Sequence, residues 1–285
     1  QTCALPISHF VRPGETISSR SYESFPGGKG LNQSIAVSRA GAAVFHAGTI
    51  GKDGLFLKEI LERSGADTRY LRECGEVTGH ALIQVSEEGE NCIILFNGSN
   101  YENDRGFMDE VLKDFSKGDI LLLQNEISNL DYLLQRGKEK GMRIMLNPSP
   151  MDGHLKEMDL SGVTWLMLNE TEGNEITGEK EASRIAETLL ARYPHMNIIL
   201  TLGKEGALFR SGEKEFRQPC FPARTADTTA AGDTFTGYFI AALSFGKTQE
   251  EAMRLAACAA AVTVSREGAA VSIPVMADVE ASINK

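Results

Sequence analysis

From about residue 118 the chain repeats one pattern, a short run of apolar residues followed by a polar stretch with helical periodicity. The runs are "GDILLLQNE", "MRIMLNPSP", "TWLMLNETE" and "NIILTLGKEGALF", and between them lie segments such as "NLDYLLQRGKEKG" and "KEASRIAETLLARYP". A strand that is apolar at every position must be covered on both faces, whereas an alternating strand has only one dry face. Continuous apolar strands alternating with amphipathic helices therefore predict βαβ units around a mostly parallel sheet, an α/β fold.

Upstream the rhythm differs. "ISSRSYESF" and "GHALIQVSEEGENCIILF" read as strands of a small antiparallel sheet, and "LNQSIAVSRAGA" between them reads as a helix ended by Gly41. The C-terminal third carries a small-residue helix, "EEAMRLAACAAAV", and a glycine-containing loop, "SREGAAVS". The opening "QTCALPIS" shows neither strand alternation nor a helix start, which predicts that the first strand is missing or replaced by foreign sequence.

With 285 residues, 42% of them hydrophobic, the chain is long enough for one large domain, and no repeat or linker divides it. The formal charge of −10 argues against an extended nucleic-acid surface, so any phosphate must be gripped locally. Five cysteines without a Cys-x-x-Cys pair point to reduced thiols rather than a disulfide framework or a zinc site. No stretch reaches the ~20 apolar residues of a membrane span, and the expectation is a cytoplasmic protein.

Several of the apolar strands end in polar side chains: Asn125 and Glu126, Asn147, then Asn169 with Glu170 and Glu172. Ligands of open α/β sheets bind beyond the carboxyl ends of the strands, although each of these residues could equally cap the next helix. Two further stretches concentrate glycine and small residues. In "DTTAAGDTF", residues 227–235, the main chain can turn tightly and aim its N–H groups at an anion from the start of a helix. Asp233 beside that nest is then either a helix cap or a general base that takes a proton from a hydroxyl attacking phosphorus. In "PGGKGLNQ", residues 26–33, the glycines let a sugar-sized ligand approach the backbone, and Lys29 and Asn32 offer hydrogen bonds. The spacing is not that of a P-loop.

Together, "GGKGLNQSIAVSRAGA" and "DTTAAGDTFTGYF" resemble the two signatures of the ribokinase family of carbohydrate kinases, in the same order and with "NPSP", "LNETE" and "TLGKEGA" between them. The resemblance covers residue 9 to the end. It implies a ribokinase-like three-layer sandwich in a single domain over 1–285, with a small β lid from about 15–26 and 79–98 that also makes a homodimer contact. It implies ATP-dependent phosphorylation of ribose to ribose 5-phosphate, with Mg2+ required and K+ stimulating. Asp233 then corresponds to the catalytic base, and Ala230, Ala231 and Gly232 with the Asp233 amide to the anion hole.

The same resemblance places Gly27, Gly28, Lys29, Asn32 and Glu126 at the sugar. It puts Asn169, Thr201, Gly203, Gly206 and Gly232 at the nucleotide, and has Asn169 and Glu172 organise magnesium, largely through water. Asp227 and Thr229, with Ser272, match a potassium-binding loop. Two departures stand out: the position of a sugar-gripping aspartate falls near Thr2, and a helix position that often carries His or Asn against adenine is Ala257. A kinase of another small sugar or nucleoside, or a sugar or nucleotide binder of low turnover, is the alternative.

Overall fold

The computed structural model describes residues 1–88 and 90–283. In chain order the strands and helices are β1 (Thr2–Pro6), β2 (Glu23–Phe25), α1 (Lys29–Arg39), β3 (Phe45–Ile50), α2 (Leu55–Ser64), β4 (Asp67–Glu73), β5 (His80–Val85), β6 (Asn91–Phe96) and α3 (Arg105–Leu112). They continue with β7 (Ile120–Gln124), α4 (Leu130–Glu139), β8 (Arg143–Asn147), α5 (Gly153–Glu157), β9 (Val163–Asn169), α6 (Glu170–Thr177), α7 (Ala182–Arg192) and β10 (Asn197–Thr201). The last are β11 (Ala207–Arg210), β12 (Glu215–Gln218), α8 (Ala231–Ser244), α9 (Gln249–Val264) and α10 (Met276–Ile283).

The apolar runs form the six-stranded sheet β12-β11-β10-β9-β8-β7. Strands β7 to β10 run parallel, and β11 and β12 are added antiparallel at one edge. Because successive side chains point to opposite faces, each run feeds two cores at once. Met145, Trp165, Met167, Ile199, Ala207 and Phe209 pack against α1, α8 and α9. Their neighbours Ile144, Leu146, Leu166, Leu168, Ile198, Leu200 and Leu208 pack against α3, α4 and α7. Three layers result, and the continuous hydrophobicity of the strands is the cause.

The first layer is held by unusually close backbone approach. A Cβ on Gly237 of α8 would lie 2.4 Å from the Ala36 Cβ and 2.9 Å from the Gln33 carbonyl of α1, so only glycine lets these two helices meet there. This contact sets the distance between the two signature stretches, which open α1 and α8.

Two expectations fail in the N-terminal part. Residues 2–6 are a strand, so the first strand is not missing: β1 pairs parallel with β5 and antiparallel with β2. The strand is set by partners on both edges and by burial of Cys3, 1% exposed, rather than by alternation within "QTCALPIS". The small sheet expected as a lid is accordingly mixed, in the order β2-β1-β5-β6, and not purely antiparallel. Of residues 15–26 only Glu23–Phe25 form a strand; ahead of them the Arg20 amide bonds to the Pro6 carbonyl without continuing the ladder. The expected strands within 79–98 are β5 and β6, joined antiparallel. The pair β3-β4 forms a separate two-stranded parallel sheet.

Candidate active site

Helix α8 begins without a side-chain cap, whereas α6 and α9 both begin with full capping boxes. Its N-cap, Ala230, has φ 61°, a left-handed conformation that costs a non-glycine residue about 1–2 kcal/mol. The Ala231 amide is engaged, at 3.3 Å, by the Thr228 carbonyl. Among the described residues the amides of Gly232 and Asp233 have no hydrogen-bond partner. Free N–H groups at the positive end of a fourteen-residue helix can receive an anion.

Asp233 is not the cap of that helix. It is the third helical residue, and its carboxylate turns away from the α8 amides towards α1. Asn32 Nδ2 donates to Oδ2 at 2.9 Å and Gln33 Nε2 donates to Oδ1 at 2.8 Å. Asp233 is only 9% exposed. Burial pushes its pKa above the ordinary aspartate value, while Lys29 and the two amide bonds oppose that shift.

Asp233, Gly232, Ala231 and Ala230 line a hollow of about 170 Å³ together with Lys29, Asn147, Asn169, Glu172, Thr201 and Thr228. Asn169 and Glu172 are indeed caps: the Asn169 side chain accepts from the Glu172 amide, and Glu172 Oε2 accepts from the Asn169 amide. Both residues also line the hollow, and the capping bonds use one oxygen of each side chain, so capping and ligand contact are compatible.

A larger cavity, about 640 Å³, lies on the other side of the Gly27–Lys29 turn and is bounded by Gly27, Gly28, Glu126, Gln124 and His46. Glu126 Oε2 accepts from the Lys29 amide at 3.3 Å, tying the end of β7 to the start of α1. Its pKa is raised by burial, with Lys29 acting against the shift. Thr2 packs on Gly27 so tightly that a Cβ there would meet the Thr2 Oγ1 at 2.4 Å.

Not every expected residue converges. Gly203 and Gly206 lie outside the smaller hollow and shape the turn from β10 to β11. There Gly206 has φ 98°, and a Cβ would fall 2.1 Å from the Gln218 carbonyl. Asp227 accepts from the Thr229 amide and hydroxyl on Oδ1 and from the Gly268 amide on Oδ2, joining the two C-terminal loops. The Ser272 hydroxyl is donated to the Ala269 carbonyl at 2.7 Å. Ala257 is a buried α9 residue in the first core layer. Sequence reasoning missed Gln33 and Gln124, whose amides meet beside Asp233; a polar residue one place after Asn32 carries no spacing signal of its own.

A basic turn, an acidic side chain held by two amides and an uncapped helix end meet at one hollow, an arrangement suited to phosphoryl transfer in an α/β fold. The sequence profile of "pfkB family carbohydrate kinase" matches residues 4–276, and the chain belongs to that family. It is 34% identical over 279 residues to a ribokinase of Haemophilus influenzae, covering 95% of this chain and 91% of that protein. It is 30% identical over 276 residues to a deoxyribokinase of Salmonella typhi, covering 92% and 89%. The solved structure of Arabidopsis thaliana ribokinase complexed with ribose and ATP superposes with a TM-score of 0.87 at 29% identity, covering 100% of this chain and 96% of that one.

Proposed function

We propose that the chain transfers the γ-phosphoryl group of ATP to the primary hydroxyl of D-ribose, giving ribose 5-phosphate and ADP. The observation that carries this reading is the placement of the Asp233 carboxylate, held on both oxygens by α1, within one helical turn of the free Gly232 and Asp233 amides. In the step, Asp233 takes the hydroxyl proton as the sugar oxygen bonds to phosphorus, and the bond to the ADP oxygen breaks. The amides stabilise charge that develops on the phosphoryl oxygens, and donors fixed beforehand cost no reorganisation at that moment.

Asn32 supports a hydroxylated acceptor. Its Nδ2 is committed to Asp233, and its buried Oδ1 has no partner among the described residues, so a substrate hydroxyl would satisfy it. Gly27, Gly28, Lys29 and Glu126 complete the sugar side, and Asn169 with Thr201 the nucleotide side; Gly203 and Gly206 shape the nucleotide loop.

Among the described residues no three His, Cys, Asp or Glu side chains converge on a metal position. The side chains of Glu172 and Asn169 on the smaller hollow are oxygen donors that would reach Mg2+ arriving with the nucleotide through water, since this ion keeps much of its hydration shell. When bound, Mg2+ would neutralise phosphate charge. Asp227, Thr229 and Ser272 are oxygen donors around the loop that ends in the anion hole, and K+ held there would order its amides. The exposed apolar strand β6 would form the homodimer contact.

The test is ADP release with a panel of ribose, 2-deoxyribose, fructose and nucleosides, run with and without K+. Asp233→Ala is expected to lower kcat by about 10²–10⁴-fold while ADP binding persists. Parental turnover in that variant would refute the base assignment. Faster turnover of 2-deoxyribose than of ribose would move the substrate to the activity named for the Salmonella relative. Binding of ribose without ADP release would leave a binder.

A further inference from the structure

Behind Asp233 the hydrogen bonds continue. Gln33, 0% exposed, donates from Nε2 to Asp233 and accepts on Oε1 from Gln124 Nε2 at 2.6 Å. Gln124 is the last residue of β7, and the Gly30 backbone passes so close that a Cβ there would lie 3.2 Å from its Oε1.

The direction of this chain follows from its chemistry. An ionised carboxylate only accepts hydrogen bonds, so the Gln33 amide must turn its nitrogen to Asp233 and its oxygen away. The group facing that oxygen must then donate, which a glutamine does and a carboxylate does not. We propose that Gln124 is a positioning residue for phosphoryl transfer: by donating to Gln33 it fixes the polarity of an amide relay that aims and holds the Asp233 carboxylate. The proposal rests on Asp233 being the base. It adds to that reading a buried element, outside the reacting groups, on which the rate depends.

The charged groups near Asp233 are Lys29, which favours its ionised form, and Glu126, whose own ionisation Asp233 opposes. Glu126 and His46 line the same cavity as Gln124, so a carboxylate there also acts on them, whereas Gln124→Met adds no charge and isolates the hydrogen bond.

Gln124→Glu reverses the polarity at the end of the relay. Its carboxylate repels the Gln33 oxygen, and if the Gln33 amide rotates to donate to it, an oxygen is turned on Asp233. The expected result is a fall in kcat of about 10- to 100-fold, the effect of one hydrogen bond to a charged group. KM for ATP is unchanged, and the acid limb of the pH–rate profile moves to higher pH. Gln124→Met, which neither donates nor bears charge, is expected to lose less, in the same direction.

Thermal shift with ADP confirms folding of each variant. If Gln124→Glu does not fold, Gln124→Met decides, because parental kcat in that variant overturns the proposal. Parental kcat and acid limb in Gln124→Glu also overturn it, as do equal losses in both variants with KM for ATP raised, the signature of a merely structural role. Asp233→Ala run alongside separates the two readings. If it keeps parental turnover, the base assignment fails; if it is dead while both Gln124 variants are unimpaired, only the relay fails.

Discussion

At the residue scale the molecule treats its buried ionisable groups in two ways. Asp233 and Glu126 are desolvated but faced by donors and by Lys29, so each is kept usable near the surface of a cavity. His46 has no such compensation. It sits in the wall of the larger cavity beside the Ser34 hydroxyl, at 2.8 Å, and burial pushes its pKa down to about 4.

The native state therefore excludes a proton that the unfolded chain binds below its ordinary value of 6.5. Above that pH His46 makes no difference to the pH dependence, and as pH falls from 6.5 towards 4 it makes the fold progressively less stable. Urea unfolding midpoints measured at pH 7 and pH 5 should fall less in His46→Gln than in the parent. Equal slopes would remove His46 from the acid sensitivity.

Asp233 itself was legible from the sequence because small residues around an aspartate are informative. Whether it capped a helix was not, since the alternatives differ only in which amides its oxygens meet.

At the element scale the decisive pair is α1 and α8. Each opens with a glycine-bearing turn, and each supplies half of the setting of Asp233: Asn32 and Gln33 from one, the carboxylate and free amides from the other. Gly237 fixes their separation. Gly237→Ala should cost about 1–3 kcal/mol by overpacking. It should also lower kcat, because the added methyl pushes against Ala36 and the Gln33 backbone. Melting temperature and kcat measured together check this, and a stable variant with parental kcat would show that the helices part freely.

The strands β7 to β10 were readable because buried parallel strands are apolar throughout. β1 was not, because five residues containing a proline become a strand only when β2 and β5 supply partners. Likewise, nothing in "ISSRSYESF" tells which residues find a partner strand.

At the scale of the whole molecule a run of apolar side chains lies open on the β2-β1-β5-β6 sheet. Ile93, Ile94, Leu95 and Phe96 of β6 are each about half exposed, at 51%, 54%, 47% and 47%, and β6 is an edge strand of its sheet. An exposed apolar edge of this kind is a liability in a monomer and natural in an interface. If β6 carries a homodimer contact, Ile94→Lys should halve the mass seen by light scattering at micromolar concentration. A parental chain that is already monomeric there would end the idea.

The layered fold was legible from strand hydrophobicity, and the family from two short stretches. The mixed pairing of the small sheet and the amide chain behind Asp233 depend on contacts between distant segments, which no local pattern records.

The bond from Gln33 to Asp233 spans 200 positions of the chain. At ~5–20 residues per second on the ribosome, the nascent protein holds α1 for roughly 10–40 s before α8 is made. Through that interval Leu31, Ile35 and Val37 have no α8 to cover them, and no carboxylate yet exists for Asn32 and Gln33 to hold. The setting of Asp233 thus cannot form until α8 emerges, and until then α1 keeps an apolar face uncovered.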